Sequence, residues 1–82
     1  MLNRSRVIPV LTVNAADNRL LDEFRGLIKK LQAPIYISEV AGFGSPELSV
    51  SEGYLRGREK IKSFIEYFVE HGHYKPFLDS IN

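Results

Sequence analysis

The residues with the most chemistry in this chain lie between Gly53 and His73. Gly53-Tyr54-Leu55-Arg56-Gly57-Arg58 sets two arginines and two glycines around a tyrosine, Lys60 and Lys62 follow, and His71-Gly72-His73 closes the stretch. An aromatic residue beside arginines is the usual composition of a protein interface hot spot. Arg56, Arg58, Lys60 and Lys62 could meet phosphate, but on a helix they point in several directions and read as a solvated face. Two imidazoles two residues apart could share a metal ion. Only Glu70 stands near as a third ligand, and the glycine between them is better explained as a helix stop.

Hydrolytic and transfer chemistry find no support elsewhere. The carboxylates are spread among other charges, and no serine, histidine and acid form a recognisable local signature. Gly42-Phe43-Gly44-Ser45-Pro46-Glu47 superficially looks like a phosphate loop but lacks the lysine and the preceding buried strand. The chain is therefore read as a non-enzyme, with no catalytic residue, no cofactor, no metal and no small-molecule substrate.

Composition narrows the class further. The 82 residues leave room for one domain at most, and a domain of this size buries only about 60 to 65% of the surface its unfolded chain exposes. A docked partner or self-association is therefore expected to supply part of its order. Eleven basic against ten acidic side chains give a net charge of +1, too little for a binder that relies on neutralising a nucleic-acid backbone. Nucleic acid is thus a possible but not a favoured partner. With no cysteine, disulfides, thiolate nucleophiles and zinc-thiolate sites are excluded for this chain. Apolar runs are far shorter than the roughly 20 residues that span a bilayer, and no signal-peptide core opens the sequence, so no membrane association is expected.

The elements that would position these residues read as mainly helical. Met1 to Arg6 carries Arg4 and Arg6 without an acid and reads as an arm that docks on a partner. Val7 to Val13 is β-branched enough for a strand, but Pro9 would confine it to a sheet edge, and an extended arm fits equally. Asn14 or Asp17 can cap a helix running to about Gln32. Its stripe is Leu20, Leu21, Phe24, Leu27, Ile28 and Leu31, and Pro34 ends it. Ile35 to Val40 is short enough to be a strand or a helical turn. Phe43 is an apolar tip in the following turn that either tucks under the helices or contacts a partner.

A second helix is expected from Ser45 or Ser49 to Gly72. Ser45-Pro46 and the Ser49/Glu52 capping box compete as its start, and Gly72 serves as its left-handed stop. Gly53 and Gly57 would share one face of it, each costing about 0.8 to 1 kcal/mol relative to alanine. Close packing of the first helix, a flat groove for a partner helix, or a frayed first turn at Gly53 could each account for them. Arg58 stands where the stripe calls for an apolar residue. It must therefore pair internally, with an acid such as Glu23 or Asp22, or contact a partner together with Arg56 and Tyr54. A short last helix near Pro76, with Tyr74, Phe77, Leu78 and Ile81 packing back, completes the reading. The expected architecture is two antiparallel amphipathic helices plus this short one. Residues 17–82 then make a single small helical domain, and residues 1–16 an extended arm or edge strand.

From about Leu20 onward the chain resembles a diffuse group of small proteins encoded near the head genes of short-tailed bacteriophages. Phe24-Arg25-Gly26-Leu27, the Gly/Pro connector and Glu52-Gly53-Tyr54-Leu55-Arg56-Gly57-Arg58 leading into Ile61 and Phe64-Ile65 carry the resemblance. The arm at 7–13 and the segment at 35–40 depart from the pattern. The resemblance implies a minor virion or assembly component, located in the virion or the host cytoplasm, that docks on a larger complex. The partner-binding candidates are Arg4, Arg6, Phe43, Gly53, Tyr54, Arg56, Gly57 and Arg58. The alternative is a small regulator that binds a host protein or nucleic acid through the arginine-bearing arm and the basic helix face.

Overall fold

A computed structural model describes residues 8–81. The mainly helical expectation is overturned: a four-stranded mixed sheet carries three helices, giving an α/β fold. In chain order the elements are β1 (Val10–Asn14), α1 (Asn18–Leu31), β2 (Tyr36–Val40), β3 (Glu47–Val50), β4 (Gly53–Arg56), α2 (Arg58–His71) and α3 (Lys75–Ile81). The strands lie in the order β2-β1-β3-β4. β1 and β2 are parallel, joined by α1 as the crossover that a parallel pair requires, while β3 is antiparallel to both β1 and β4.

β1 is neither an arm nor an edge. Pro9 lies just before the first strand residue, so its missing N–H is not needed by the ladder, and its carbonyl accepts the Tyr36 N–H at 3.0 Å. The chain leaves β1 through an Asn14 turn, in which Asn14 Oδ1 accepts the Ala16 N–H at 2.9 Å. Asp17 then caps α1, its Oδ1 accepting the Leu20 N–H at 3.2 Å. The helix closes on Gln32 in the left-handed region (φ 55°), with the Ala33 N–H returning to the Ile28 carbonyl at 2.9 Å. Pro34 follows, as its backbone restriction demands.

The largest correction falls on residues 45–57. They form a β-hairpin, not the start of a helix. Val50 pairs with Gly53 across the two-residue turn Ser51-Glu52, and Leu48 pairs with Leu55. Gly53 therefore opens a strand, and Gly57 is the N-cap of α2 at φ 103°, ψ 139°. A Cβ added to either glycine would meet nothing within 4 Å. Neither glycine is there to let another helix approach closely, and no shared helical face exists for a partner helix to use. The requirement at Gly57 is conformational.

Alternation decides the two faces of the sheet. Ile37, Leu11, Leu48 and Leu55 stand in one row across β2-β1-β3-β4, on the side the helices cover. Leu21 and Phe24 of α1, Ile61, Phe64 and Ile65 of α2, and Leu78 of α3 join Leu11, Val13, Leu48 and Leu55 in one core cluster. Phe64 is fully buried, and its ring centroid lies 5.2 Å from Tyr74 and 6.0 Å from Phe77, which ties α3 to α2. α2 ends on Gly72 at φ 77°, whose N–H reaches the Phe68 carbonyl at 2.8 Å. Among the described residues no helix is long and apolar enough to cross a membrane.

Candidate functional site

Among the described residues no helix packs on the second face of the sheet. In register across the strands, Tyr36, Val10, Ser49 and Tyr54 form one row, and Ser38, Thr12, Glu47 and Arg56 the next. Val40 stands opposite Asn14 beyond them. Tyr36 and Tyr54 are 63% and 60% exposed, and Val40 is also exposed. Ile8, two residues ahead of Val10, is the fourth large exposed hydrophobic among the described residues. Scattered exposed apolar residues need no explanation, but here three of four sit on one sheet face.

Arg56 organises one end of this face. Its Nε donates to Glu47 Oε1 at 3.1 Å, directly across the β3-β4 ladder, and its guanidinium carbon lies 5.6 Å from the Tyr54 ring centroid. Both contacts keep the guanidinium on this face of the sheet. Tyr54 and Arg56, singled out in the sequence, therefore do come together, as strand neighbours two residues apart rather than as helix neighbours.

Arg58 belongs elsewhere. As the first residue of α2 it reaches α1, where Nε and Nη2 donate to the two oxygens of Glu23 at 2.9 and 2.7 Å. This forked pairing is the strong geometry for an arginine and a carboxylate. Glu59 also pairs with Arg58, and Lys62 Nζ lies 3.3 Å from Glu23. The Arg58 hydrogen bonds, with help from Lys62, hold the Glu23 carboxyl below its ordinary range, and the Glu23 bond raises Arg58 in turn. Two of the four cations of the basic stretch are thus spent on tying α2 to α1, and Arg56 is spent on Glu47.

Of the other expected residues, Phe43 is half-buried in the β2-β3 connection and stands apart from the core cluster. Arg4 and Arg6 lie outside the described residues. His71 and His73 are exposed, with ring centroids 5.8 Å apart beside Tyr67. Among the described residues no group of three His, Asp or Glu side chains is placed to hold a metal ion. A cleft of about 140 Å³ lies between the β3-β4 turn and α3, lined by Glu52, Gly53, Tyr54, Lys75, Leu78 and Asp79. It falls below the roughly 300 Å³ at which pockets begin to enclose organic ligands. At its rim the Tyr74 hydroxyl donates to Glu52 Oε1 at 2.9 Å. Hydrogen bonds from Ser51 and Tyr74 lower Glu52, while burial, and then the bond to Glu52, raises Tyr74.

The sequence reading missed Tyr36, Val40, Val10 and Glu47. The signal for Tyr36, Val40 and Glu47 was the alternation in Tyr36-Ile37-Ser38-Glu39-Val40 and Glu47-Leu48-Ser49-Val50, which marks the residues opposite the core once these segments are recognised as strands; Val10, in the non-alternating Val10-Leu11-Thr12-Val13-Asn14, had no such signal.

The class defined by this geometry is a two-layer α/β domain with a βαβ unit, a following hairpin and one uncovered sheet face. A Cys-x-x-Cys pair near such a βαβ unit would read as a thioredoxin-like redox motif; this chain has no cysteine, so that chemistry is closed to it. No family model, no curated protein and no solved structure matches the chain.

Proposed function

We propose that this is a small protein–protein interaction protein that docks on a larger complex through the uncovered face of its sheet. The observation that carries the reading is the gathering of Tyr36, Val10, Val40 and Tyr54 on that face, with Arg56 laid over Tyr54. Amphipathic aromatics with a held arginine are suited to an apolar protein surface with a polar rim. The resemblance to phage head-region proteins supports a phage-encoded virion or assembly component, found in the virion or the host cytoplasm. The contact residues on this reading are Tyr54 and Arg56, extended to Tyr36 and Val10. Phe43 stays a further candidate contact, as do Arg4 and Arg6 outside the described residues, while Gly53, Gly57 and Arg58 act by shaping the hairpin and the α1-α2 junction.

A regulator that binds single-stranded nucleic acid is the second reading, favoured by two tyrosines on one face of a four-stranded sheet, where bases can stack. The engagement of Arg56, Arg58 and Lys62 with carboxylates weighs against it. The deciding experiment is affinity capture from phage-infected lysate with the wild type, Tyr54→Ala and Lys60→Ala, beside a single-strand titration at two salt concentrations. A captured protein lost with Tyr54→Ala and kept with Lys60→Ala supports the reading. Capture indifferent to Tyr54 refutes it, and salt-steep strand binding promotes the second reading.

A further inference from the structure

We propose that β2 is a dimerisation edge, and that two copies of this chain join their sheets antiparallel across a two-fold axis at Ser38. The inference goes beyond the docking face: a dimer that captures nothing leaves it standing, and a monomer that binds a partner removes only this inference.

β2 ends the strand order, so one side of its backbone is unpaired among the described residues. The Tyr36 N–H bonds the Pro9 carbonyl at 3.0 Å and the Ala15 N–H bonds the Val40 carbonyl at 3.1 Å, which fixes Tyr36, Ser38 and Val40 as the residues whose backbone groups face β1. In a parallel ladder the intervening residues face the other way. The N–H and C=O groups of Ile37 and Glu39 therefore point outward from the sheet. An edge of this kind is usually blunted by charged side chains, lysine above all, by proline or by a bulge. β2 has no lysine, proline or bulge, and the one charge it carries, Glu39, is neutralised by its pairing with Arg25 of α1.

The other edge is less open. β4 has four residues, starts at a glycine, carries Arg56, and has α3 beside it, where Lys75, Leu78 and Asp79 share a cleft with Gly53 and Tyr54.

The side chains of β2 select the partner. Pairing Ile37 with Glu39 of a second copy uses every outward backbone group of both strands, and it places Ser38 opposite its own copy as a non-hydrogen-bonded pair. Such pairs approach to about 4.5 Å between Cα atoms, which a small residue tolerates. The same register sets Tyr36 against Val40 of the second copy, and Val40 against its Tyr36. Two of the large exposed hydrophobics on each chain are thereby set side by side in an aromatic and β-branched pairing that antiparallel sheets favour. An apolar residue two positions either side of a small central one is the self-complementary pattern that a two-fold interface needs. A net charge of +1 gives little repulsion between copies.

The test joins sedimentation over a range of concentrations with single-cysteine cross-linking, which the absence of native cysteine makes clean. Ser38→Cys is expected to oxidise to a disulfide-linked dimer more than about tenfold faster than Ser63→Cys on the exposed face of α2, because the interface holds the two thiols at high effective concentration and within disulfide reach. Glu39→Pro removes an outward donor without touching the β1 ladder, and Val40→Lys charges the edge at an exposed position. Both are expected to be folded monomers by circular dichroism and sedimentation. A wild type that stays monomeric to its solubility limit overturns the proposal. So does a dimer in which the Ser38→Cys variant cross-links no faster than the Ser63→Cys variant, or one that survives Val40→Lys in a folded protein.

Discussion

Substituting Gly57 by alanine separates the observed architecture from the helical one that the sequence first suggests, because the two predict opposite signs. In a helix interior the change would stabilise the protein by about 0.8 to 1 kcal/mol. In the structure Gly57 sits at φ 103°, ψ 139° and is fixed from both sides: its N–H bonds the Pro46 carbonyl at 3.2 Å, and its carbonyl accepts the Ile61 N–H at 3.1 Å. The residue cannot rotate away without losing either the end of the hairpin or the first bond of α2. A Cβ there meets nothing within 4 Å, so the cost is backbone strain alone, about 1 to 3 kcal/mol for a residue with a side chain in that region. For a domain of this size each kcal/mol lowers Tm by about 4 to 8 °C. Gly26 supplies the control. It lies in the interior of α1, exposed and equally free of neighbours, so Gly26→Ala is expected to gain about 0.8 to 1 kcal/mol. The assay is urea unfolding at one fixed protein concentration, followed by far-UV circular dichroism and tyrosine fluorescence, with equal slopes required before midpoints are compared. A Gly57→Ala midpoint that rises as the Gly26→Ala midpoint does would refute the hairpin assignment.

Two pH predictions follow from the side-chain pairs. Glu23 is held below its ordinary value near 4.5 by Arg58 first, and by Lys62. Its contribution to stability is therefore complete above that value and lost as pH falls through the depressed folded one. Glu23→Gln is expected to be less stable than wild type at neutral pH, with the two denaturation curves converging below pH 4.5; a gap unchanged by acid would remove the α1-α2 pairing from the account. Tyr74 is raised above its ordinary 10.0 by burial and by its bond to Glu52, so it stabilises below that pH and the contribution disappears as pH rises through the folded value. Tyr74→Phe should lose stability at pH 7 and show the gap closing on the alkaline side. Parallel curves from neutral to alkaline pH would show that the Tyr74 to Glu52 bond contributes nothing.

How much of this was legible in the sequence depends on which signals were local. The Leu20 to Leu31 stripe and Pro34 mark the end of α1 within a residue, its start was open between Asn14 and Asp17 and falls at Asp17, and Gly72 stops α2 where a left-handed residue was wanted. Pro76 near the start of α3 was equally readable. β1 differs from the expectation because the effect of a proline depends on whether its N–H is needed, and Pro9 sits one residue before the strand, where only its carbonyl joins the hydrogen bonding. The hairpin was hidden by a coincidence: Ser49 and Glu52 have the spacing of a capping box, yet one lies in β3 and the other in the turn. The clue was already present as an anomaly. No apolar residue stands between Leu55 and Ile61, two glycines fall in the supposed first turns, and Arg58 occupies a stripe position. Together these say that the helix has not begun before residue 58.

The uncovered face acquires its weight from the mixed topology. An antiparallel sheet commonly leaves one side to solvent and places polar residues there, as Ser49, Glu47 and Arg56 do on β3 and β4. A parallel pair is ordinarily covered on both sides, and its strands are apolar on both. β1 and β2 are such a pair, and on the uncovered side they present Val10, Tyr36 and Val40 interleaved with Thr12, Ser38 and Asn14. The hairpin half of this face is thus polar apart from Tyr54, while the βαβ half alternates apolar and polar residues and carries three of its exposed or half-exposed apolar side chains. The proposed docking surface accordingly runs from Tyr54 and Arg56 across Val10 to Tyr36, with Val40 at the β2 edge. The stretch from Gly53 to Arg58 owes its unusual composition chiefly to the tasks of turning a hairpin and starting a helix.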